Sequence, residues 1–259
     1  MATAPEALVC LDFDGTIVDS SDPDPVPAEL LSYLSVLADR RIVWIIGTGR
    51  TLFQAMEGIA NHGLGSGPDY LITSEREIYW RGRLNRWKSA GDWNSECRKA
   101  HHKLYRSASR TLKKIKDYVS NETGARFIET KQEPAGIIAT GEDEMHAICQ
   151  FIADILPAAC DLGYERNSIY LRFSHSSYSK GTALEELGRQ LGLAPDKIFA
   201  AGDNYNDLSM LDGRFAKMVA CPANAIKEVK TTVRGQGGII AQEKAGAGTL
   251  SALRHYFGE

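Results

Sequence analysis

The feature that most constrains this chain is a short apolar run that ends in two carboxylates. Ala7 to Leu11 reads Ala-Leu-Val-Cys-Leu and leads directly into Asp12-Phe13-Asp14-Gly15-Thr16. An unbroken apolar run of that length suits a strand buried on both faces, as in a parallel sheet. Two carboxylates two residues apart reach the same side of an extended segment, and Gly15 permits the turn that follows. Side by side they repel, so a cation or a shared proton is expected between them. Hard oxygen ligands suit Mg²⁺. The plain alternative is a strand-end turn rich in Asp and Gly; its position straight after a buried strand favours the functional reading.

The pattern around this segment repeats. Val26 to Arg40 carries Leu30, Leu31, Leu34 and Leu37 at helical spacing, with Pro27 near its start. Ile42 to Ile46 is a second apolar run, broken by Gly47-Thr48-Gly49, and residues 51 to 61 read as a helix. Tyr70 to Thr73 is a third strand. This β-α-β-α-β opening predicts an α/β sheet with helices on both faces. The texture changes after about Tyr79. Arg81-Gly82-Arg83 reads as a hairpin turn, and 95 to 119 as one long helix. Strands are expected at 126–129, 137–140, 163–166 and 169–173, with a helix at 142–156 between the second and third. From Ser179 the first pattern returns, with helices expected at 182–191, 206–211, 224–229 and 249–257 and strands at 198–201 and 217–219. The simplest architecture is an α/β core, residues 1–83 and 175–259, interrupted by an inserted α+β domain at 84–174.

Composition narrows the function classes. The 259 residues are 43% hydrophobic and 24% charged, which is globular composition. Thirty basic against 33 acidic residues give a net charge of −3, so no nucleic-acid partner is expected. No apolar run reaches the roughly 18 residues of a membrane span, and Met-Ala-Thr-Ala-Pro-Glu lacks the basic start and apolar stretch of a signal peptide. Cys10, Cys97, Cys149, Cys160 and Cys221 are odd in number, without CxxC spacing. Reduced thiols in the cytoplasm are the expectation.

Three more segments stand where strands should end. In open α/β sheets, ligands bind at the carboxyl ends of strands, so all four segments can converge. Thr48-Gly49-Arg50 offers a hydroxyl and backbone N–H groups at a helix start, an anion site; a Thr N-cap is the plainer reading. Gly47 and Gly49 make no dinucleotide fingerprint, because position 52 is Leu, and there is no Walker A sequence. Lys180 sits in Ser179-Lys180-Gly181-Thr182. A lysine in a first helical turn opposes the macrodipole, so it is either a solvated surface group or a cation aimed at an anion. Gly202-Asp203-Asn204-Tyr205-Asn206-Asp207 crowds two carboxylates and two amides. It is not an EF-hand loop, because Tyr205 stands where an acidic or amide ligand is required.

Together and in this order, the four segments resemble the motifs of the haloacid dehalogenase superfamily of phosphotransferases. They look most like its Cof-like branch with a type-IIB cap, which includes sucrose phosphatase, mannosyl-phosphoglycerate phosphatase and phosphomannomutase. The core likeness spans about residues 7–80 and 175–257, and Ala223-Asn224-Ala225 also looks typical of the branch. Thr48 and Lys180 lie 132 positions apart. That is far more than one crossover needs, which places the cap between the second and third motifs. The resemblance implies a Rossmann-like core and a substrate-selecting cap. It implies Asp12 as nucleophile, forming an aspartyl-phosphate, and Asp14 as acid and then base. Thr48 and Gly49 would hold phosphate oxygens and Lys180 would offset charge. Arg50 would brace the loops or touch substrate. Asp12, the Asp14 carbonyl and Asp203 would ligate Mg²⁺, with Asn206 and Asp207 supporting the metal waters and Lys180.

The implied activity is Mg²⁺-dependent hydrolysis of a small phosphorylated metabolite, with a sugar phosphate as the family-level expectation. Two alternatives stay open: a phosphosugar mutase on the same site, and a non-catalytic binding module that kept the fold. One departure stands out. After the third strand many relatives carry Asn-Gly, whereas this chain reads Thr73-Ser74-Glu75-Arg76, so Glu75 and Arg76 are expected to alter how the substrate is held beside the phosphate. In the cap, Arg126, Arg172, His175 and Tyr178 are polar candidates for substrate contact, against surface or packing roles. Arg98, Lys99, Lys103, Arg106, Arg110, Lys113, Lys114 and Lys116 read as a solvated helix face. Trp80, Trp87 and Trp93 read as packing near the junction.

Overall fold

The structure is a computed structural model and describes residues 4–64, 67–129, 134–157 and 160–259. The chain forms two compact units, Met1–Asn94 with Lys180–Glu259 and Ser95–Ser179. Through the first stretch run β1 (Ala7–Asp12), α1 (Ala28–Asp39), β2 (Ile42–Gly47), α2 (Leu52–Asn61), β3 (Tyr70–Thr73), β4 (Glu77–Arg81) and β5 (Trp87–Ser89). There follow α3 (Trp93–Ser107), α4 (Ser109–Glu122), β6 (Arg126–Glu129), β7 (Pro134–Ile138), α5 (Glu142–Ile155), β8 (Leu162–Asn167) and β9 (Tyr170–His175). The chain then returns through α6 (Lys180–Leu191), β10 (Ile198–Ala201), α7 (Leu208–Leu211), β11 (Met218–Cys221), α8 (Lys227–Gly235), β12 (Ile239–Ile240) and α9 (Ala245–Phe257).

The first unit is built on one sheet in the order β12-β11-β10-β1-β2-β3-β4-β5. Pairing is parallel from β12 to β3 and antiparallel at β4 and β5. Every residue of β1 is buried, and alternation sends its side chains to two cores. Val9 and Leu11 pack with Leu30, Leu34 and Leu37 of α1 and Leu250 and Leu253 of α9. Leu8 and Cys10 pack with Leu184 and Leu187 of α6, Met210 of α7 and Val229 and Val233 of α8. Each leucine so buried is worth about 2 kcal/mol against exposure. The register aligns Leu11 with both Ile46 and Ala201, and Gly47 with both Asp12 and Ile72. The carboxyl ends of β10, β1, β2 and β3 therefore meet at one sheet edge. The second unit has its own antiparallel sheet, β6-β7-β9-β8. Its separate core joins Ile115, Val119, Ile137, Ile148, Leu171 and Phe173. Among the described residues no helix is long and apolar enough to cross a membrane.

The unit boundaries fall later than the sequence pattern placed them. Residues 84–94 belong to the first unit, because Trp87–Ser89 pairs with β4 and extends the large sheet. Asn94 then anchors to β4 from both ends of its amide, accepting from Ile78 N at 2.7 Å and donating to Ile78 O at 2.8 Å. Residues 175–179 belong to the second unit. The expected single helix at 95–119 is two, α3 and α4, separated at Ala108. The helix expected at 224–229 starts only at Lys227, because Asn224 is engaged elsewhere, as described below.

Candidate active site

The site is built from what each strand end presents. At the end of β1 stands Asp12, buried, and at the start of α6 stands Lys180, fully buried. The Lys180 ammonium donates to Asp12 Oδ1 at 2.8 Å and to Asp207 Oδ1 at 2.6 Å. Glu75 Oε2 lies 3.5 Å from the same nitrogen. A buried lysine persists as an ion only when paired and hydrogen-bonded. Burial alone would lower its pKa, but the charges of Asp12, Asp207 and Glu75 together hold it well above the ordinary lysine value. The solvated-surface alternative for Lys180 therefore does not describe this residue.

Asp207 is the bracket of the loop after β10. Its Oδ2 accepts from the backbone N–H of Asp203 at 2.8 Å and of Asn204 at 3.0 Å. Asn204 caps the short 3₁₀ turn Tyr205–Asp207 that follows. Both Asp207 oxygens are thus committed to the protein. The plain reading of this loop, an N-cap, is realised by Asn204.

The loop after β1 is shaped by Gly15. Its φ is +84°, and a Cβ there would stand 2.4 Å from Asp203 Oδ2. Only glycine allows that backbone so close to the carboxylate. Thr16 Oγ1 reaches Asp203 Oδ1 at 3.4 Å. Asn224 donates to Gly15 O at 2.8 Å and accepts from Ala245 N at 2.8 Å. It thereby ties the first loop to the start of α9.

After β2, Thr48 is buried and its Oγ1 accepts the Arg50 N–H at 3.1 Å. Thr51 caps α2 in a reciprocal capping box with Gln54. The N-cap is therefore Thr51, which leaves Thr48 to the strand end. Arg50 forks onto Asp14, Nε to Oδ2 at 2.8 Å and Nη2 to Oδ1 at 2.6 Å. Its guanidinium also lies 4.8 Å from the Phe13 ring centroid. The Asp14 side chain is exposed and stands outside the carboxylate cluster.

The turn after β3 supplies Glu75. Ser74 and Glu75 both adopt left-handed φ, 50° and 66°. That costs an L-residue with a Cβ on the order of 1 kcal/mol or more each. Backbone bonds from Ser74 N to Arg50 O (2.8 Å) and Glu75 N to Thr48 O (3.1 Å) hold the turn against the β2 loop. The Glu75 side chain is buried, and its Oε1 accepts from Asn206 Nδ2 at 3.1 Å. A Cβ on Gly49 would stand 2.4 Å from the same oxygen. The sequence offers Glu75, with Arg76, as a residue beside the phosphate; its burial among these groups depends on two left-handed residues in succession, which sequence spacing does not reveal.

One ammonium thus faces Asp12, Asp207, Glu75 and Asp203, an excess of negative charge. Burial, then the Asp207 charge, pushes Asp12 well above the usual carboxylate range. The same two causes push Asp203 up to about 7. Asp12 Oδ2 is buried with no hydrogen-bond partner among the described residues. Carboxylate oxygens of Asp12, Asp203 and Asp207 lie within 4.8 Å of one another. A hard divalent cation fits this donor set. It would neutralise the excess charge.

The structure brings Asp12, Thr48, Gly49, Lys180, Asp203, Asn206 and Asp207 to one sheet edge, with Asp14 and Arg50 paired beside them. The polar residues of the second unit stand differently. The His175 backbone N–H donates to His101 Nε2 at 3.0 Å, and His101 Nδ1 lies 2.8 Å from Cys97 O. Tyr178 rings the same histidines. Several basic residues of α3 and α4 form exposed pairs, such as Lys99–Glu96, Lys113–Asp117 and Lys116–Glu129. Trp93 donates from Nε1 to Arg76 O at 2.7 Å, and Trp80 is partly exposed under Lys88.

Residues 69–238 match a family model described as haloacid dehalogenase-like hydrolase. A phosphoglycolate phosphatase from Methanoculleus marisnigri is 26% identical over 95% of this chain and 94% of its own length. A bifunctional trehalose-6-phosphate synthase/phosphatase from Thermoproteus tenax is 26% identical over 82% of this chain and 28% of its own length. The sucrose-phosphatase from Synechocystis sp. PCC6803, solved with sucrose and phosphate, superposes with a TM-score of 0.71 at 19% identity, covering 97% of this chain and 98% of that one. The fold, the matched family model and the full-length phosphatase relative agree: this chain belongs to the haloacid dehalogenase-like hydrolases and is a phosphatase.

Proposed function

We propose that this phosphatase hydrolyses the monoester of a small phosphorylated metabolite, a sugar phosphate by class, through an aspartyl-phosphate on Asp12. The observation that carries the reading is the Lys180 fork. It pins Asp12 Oδ1 and leaves Asp12 Oδ2, buried and unpartnered among the described residues, as the oxygen to react. The sugar-phosphate class rests on the relatives, one a trehalose-6-phosphate synthase/phosphatase and one a sucrose-phosphatase. The second unit, Ser95–Ser179, is assigned the role of selecting substrate, and the working compartment is the cytoplasm.

In this reading the Asp12 carboxylate attacks phosphorus and the bond to the leaving oxygen breaks. Asp14 gives its proton to that oxygen. It then takes one from the water that cleaves the aspartyl-phosphate, so Asp12 is regenerated and phosphate leaves. For either step Asp14 exchanges the Arg50 guanidinium for the reacting oxygen. The Thr48 hydroxyl and the Gly49 N–H hold phosphate oxygens, and Lys180 offsets charge on Asp12 and the phosphate. Asp12, the Asp14 carbonyl and Asp203 would hold Mg²⁺, while Asp207 and Asn206 keep the loop and Lys180 in place. The ion, when bound, supplies charge neutralisation at the carboxylates and the phosphate. The remainder is positioning, as phosphoryl transfer requires.

The test is inorganic phosphate release from a panel of sugar phosphates, phosphoglycolate, glycerates and nucleotides, with and without Mg²⁺, beside Asp12→Asn. Mg²⁺-dependent release abolished in Asp12→Asn is the expected result. Folded, metal-loaded protein that releases nothing, or a fully active Asp12→Asn, would sink the reading.

A further inference from the structure

Glu75 is a buried carboxylate without a role in the mechanism above. It lies against two of the groups to which that mechanism assigns the phosphate, Lys180 and Gly49, and against Asn206, which holds the loop beside them. Its Oε2 is 3.5 Å from Lys180 Nζ, its Oε1 accepts from Asn206 Nδ2, and that oxygen lies against the Gly49 backbone. Lysine has three donors. Asp12 and Asp207 hold two at 2.8 and 2.6 Å, so the long contact to Glu75 is the one an incoming anion can take over. The turn that delivers Glu75 bonds to the backbone of Thr48 and Arg50 and is held in left-handed conformation at two residues with side chains. Such a conformation persists only where the surroundings over-determine it. A tool for packing alone does not need a charge here, because burial of an extra carboxylate beside three others is unfavourable.

We propose that Glu75 is a resident anion of the phosphate cradle. Its carboxylate takes the third, long contact of Lys180 and fills the cradle edge when no phosphate is bound, and it competes with substrate and product for that place. Glu75 thereby weakens the hold on inorganic phosphate and speeds its departure. This rests on the phosphate site of the preceding subsection.

The experiment is calorimetric titration of inorganic phosphate into the Mg²⁺-loaded full chain, for wild type, Glu75→Gln and Glu75→Ala. Circular dichroism confirms that each variant is folded. Gln keeps an oxygen for Asn206 without the charge, and Ala removes the group, so the result does not hang on one variant. The expected result is phosphate bound at least about tenfold tighter by both variants, about 1.4 kcal/mol. In turnover, product inhibition should set in at correspondingly lower phosphate and KM should fall without a rise in kcat. A purely structural Glu75 would leave phosphate affinity unchanged or weaken it, and either outcome overturns the proposal, as does a wild type and variants that bind no phosphate. The two readings fail separately. Tighter phosphate in the variants with no hydrolysis by any of them would remove the phosphatase mechanism and leave the resident anion. Hydrolysis with unaltered phosphate affinity would do the reverse.

Discussion

At the residue scale, the site is a problem in balancing charge without water. Lys180 is the cation at its centre among the described residues, and its removal should be costly. Lys180→Met would leave Asp12, Asp207 and Glu75 buried together, and breaking a buried pair typically costs about 3–5 kcal/mol. Urea unfolding at neutral pH should show a loss of that order. The loss should narrow in acid, as the carboxylates take up protons. A deficit independent of pH would contradict the charge account. The carboxylates themselves give a second expectation. Asp203 is held up to about 7 by burial and the charge of Asp207, above its unfolded value near 4. Between those values the folded state binds more protons than the unfolded one. Its contribution is therefore fully present below about pH 4 and is lost as pH rises through about 7. With chelator present, this term should lower the melting temperature as pH rises from 4 to 7, and Mg²⁺ should reverse that loss near pH 7. A metal effect on melting that is the same at pH 5 and pH 7.5 would argue against cation binding at Asp203. Asp14 belongs to this scale too. Asp14→Asn should slow turnover of alkyl phosphates by about 10²–10⁴-fold, the usual worth of general acid–base help. An ester with a good leaving group should still phosphorylate Asp12, and mass spectrometry would find the phosphorylated protein accumulating.

At the element scale, glycines decide how closely the site's elements approach. Gly181 follows Lys180 in the first turn of α6. Its N–H donates to Ser209 Oγ at 3.0 Å, and a Cβ there would lie 2.1 Å from the Ser209 carbonyl oxygen of α7. Gly181→Ala must push α6 and α7 apart and carry Lys180 with it. We expect a stability loss of about 1–3 kcal/mol, the range for overpacked cores, together with a fall in kcat. A variant of wild-type stability and activity would mean that the helices yield freely. Much at this scale was legible in the sequence. The run Ala7–Leu11 suits a buried strand, and the alternation of apolar runs with helical periodicity points to the parallel core. The break at Ala108 was not legible, because the apolar spacing of Leu104, Ala108 and Leu112 runs on unbroken across it. The late start of α8 was equally hidden. It depends on what Asn224 binds, and its partners Gly15 and Ala245 are far away in the chain.

At the scale of the whole molecule, two cores on opposite faces of one sheet sustain the first unit, and the second unit has a third core of its own. A unit with its own sheet and core is able to fold alone. Expressed as residues 95–179, the second unit should give a cooperative thermal transition by circular dichroism; a broad, non-cooperative melt would show that it depends on the rest of the chain. The edges of the units follow strand pairing and not the change in composition. The composition shifts near Tyr79, yet Trp87–Ser89 still pairs with the large sheet.

The sequence by itself determined the fold class and picked out the four segments that the sheet edge gathers, because strand burial, the placement of Asp and Thr at strand ends and of Lys at a helix start are local properties of the chain. Only the tertiary structure decided which of those groups meet. It gave Lys180 two firm carboxylate partners and a third at longer range. It paired Asp14 with Arg50, turned both oxygens of Asp207 inward and brought Glu75 into the cradle. Those outcomes depend on strand register and on distances between residues far apart in the chain, which local propensity does not encode.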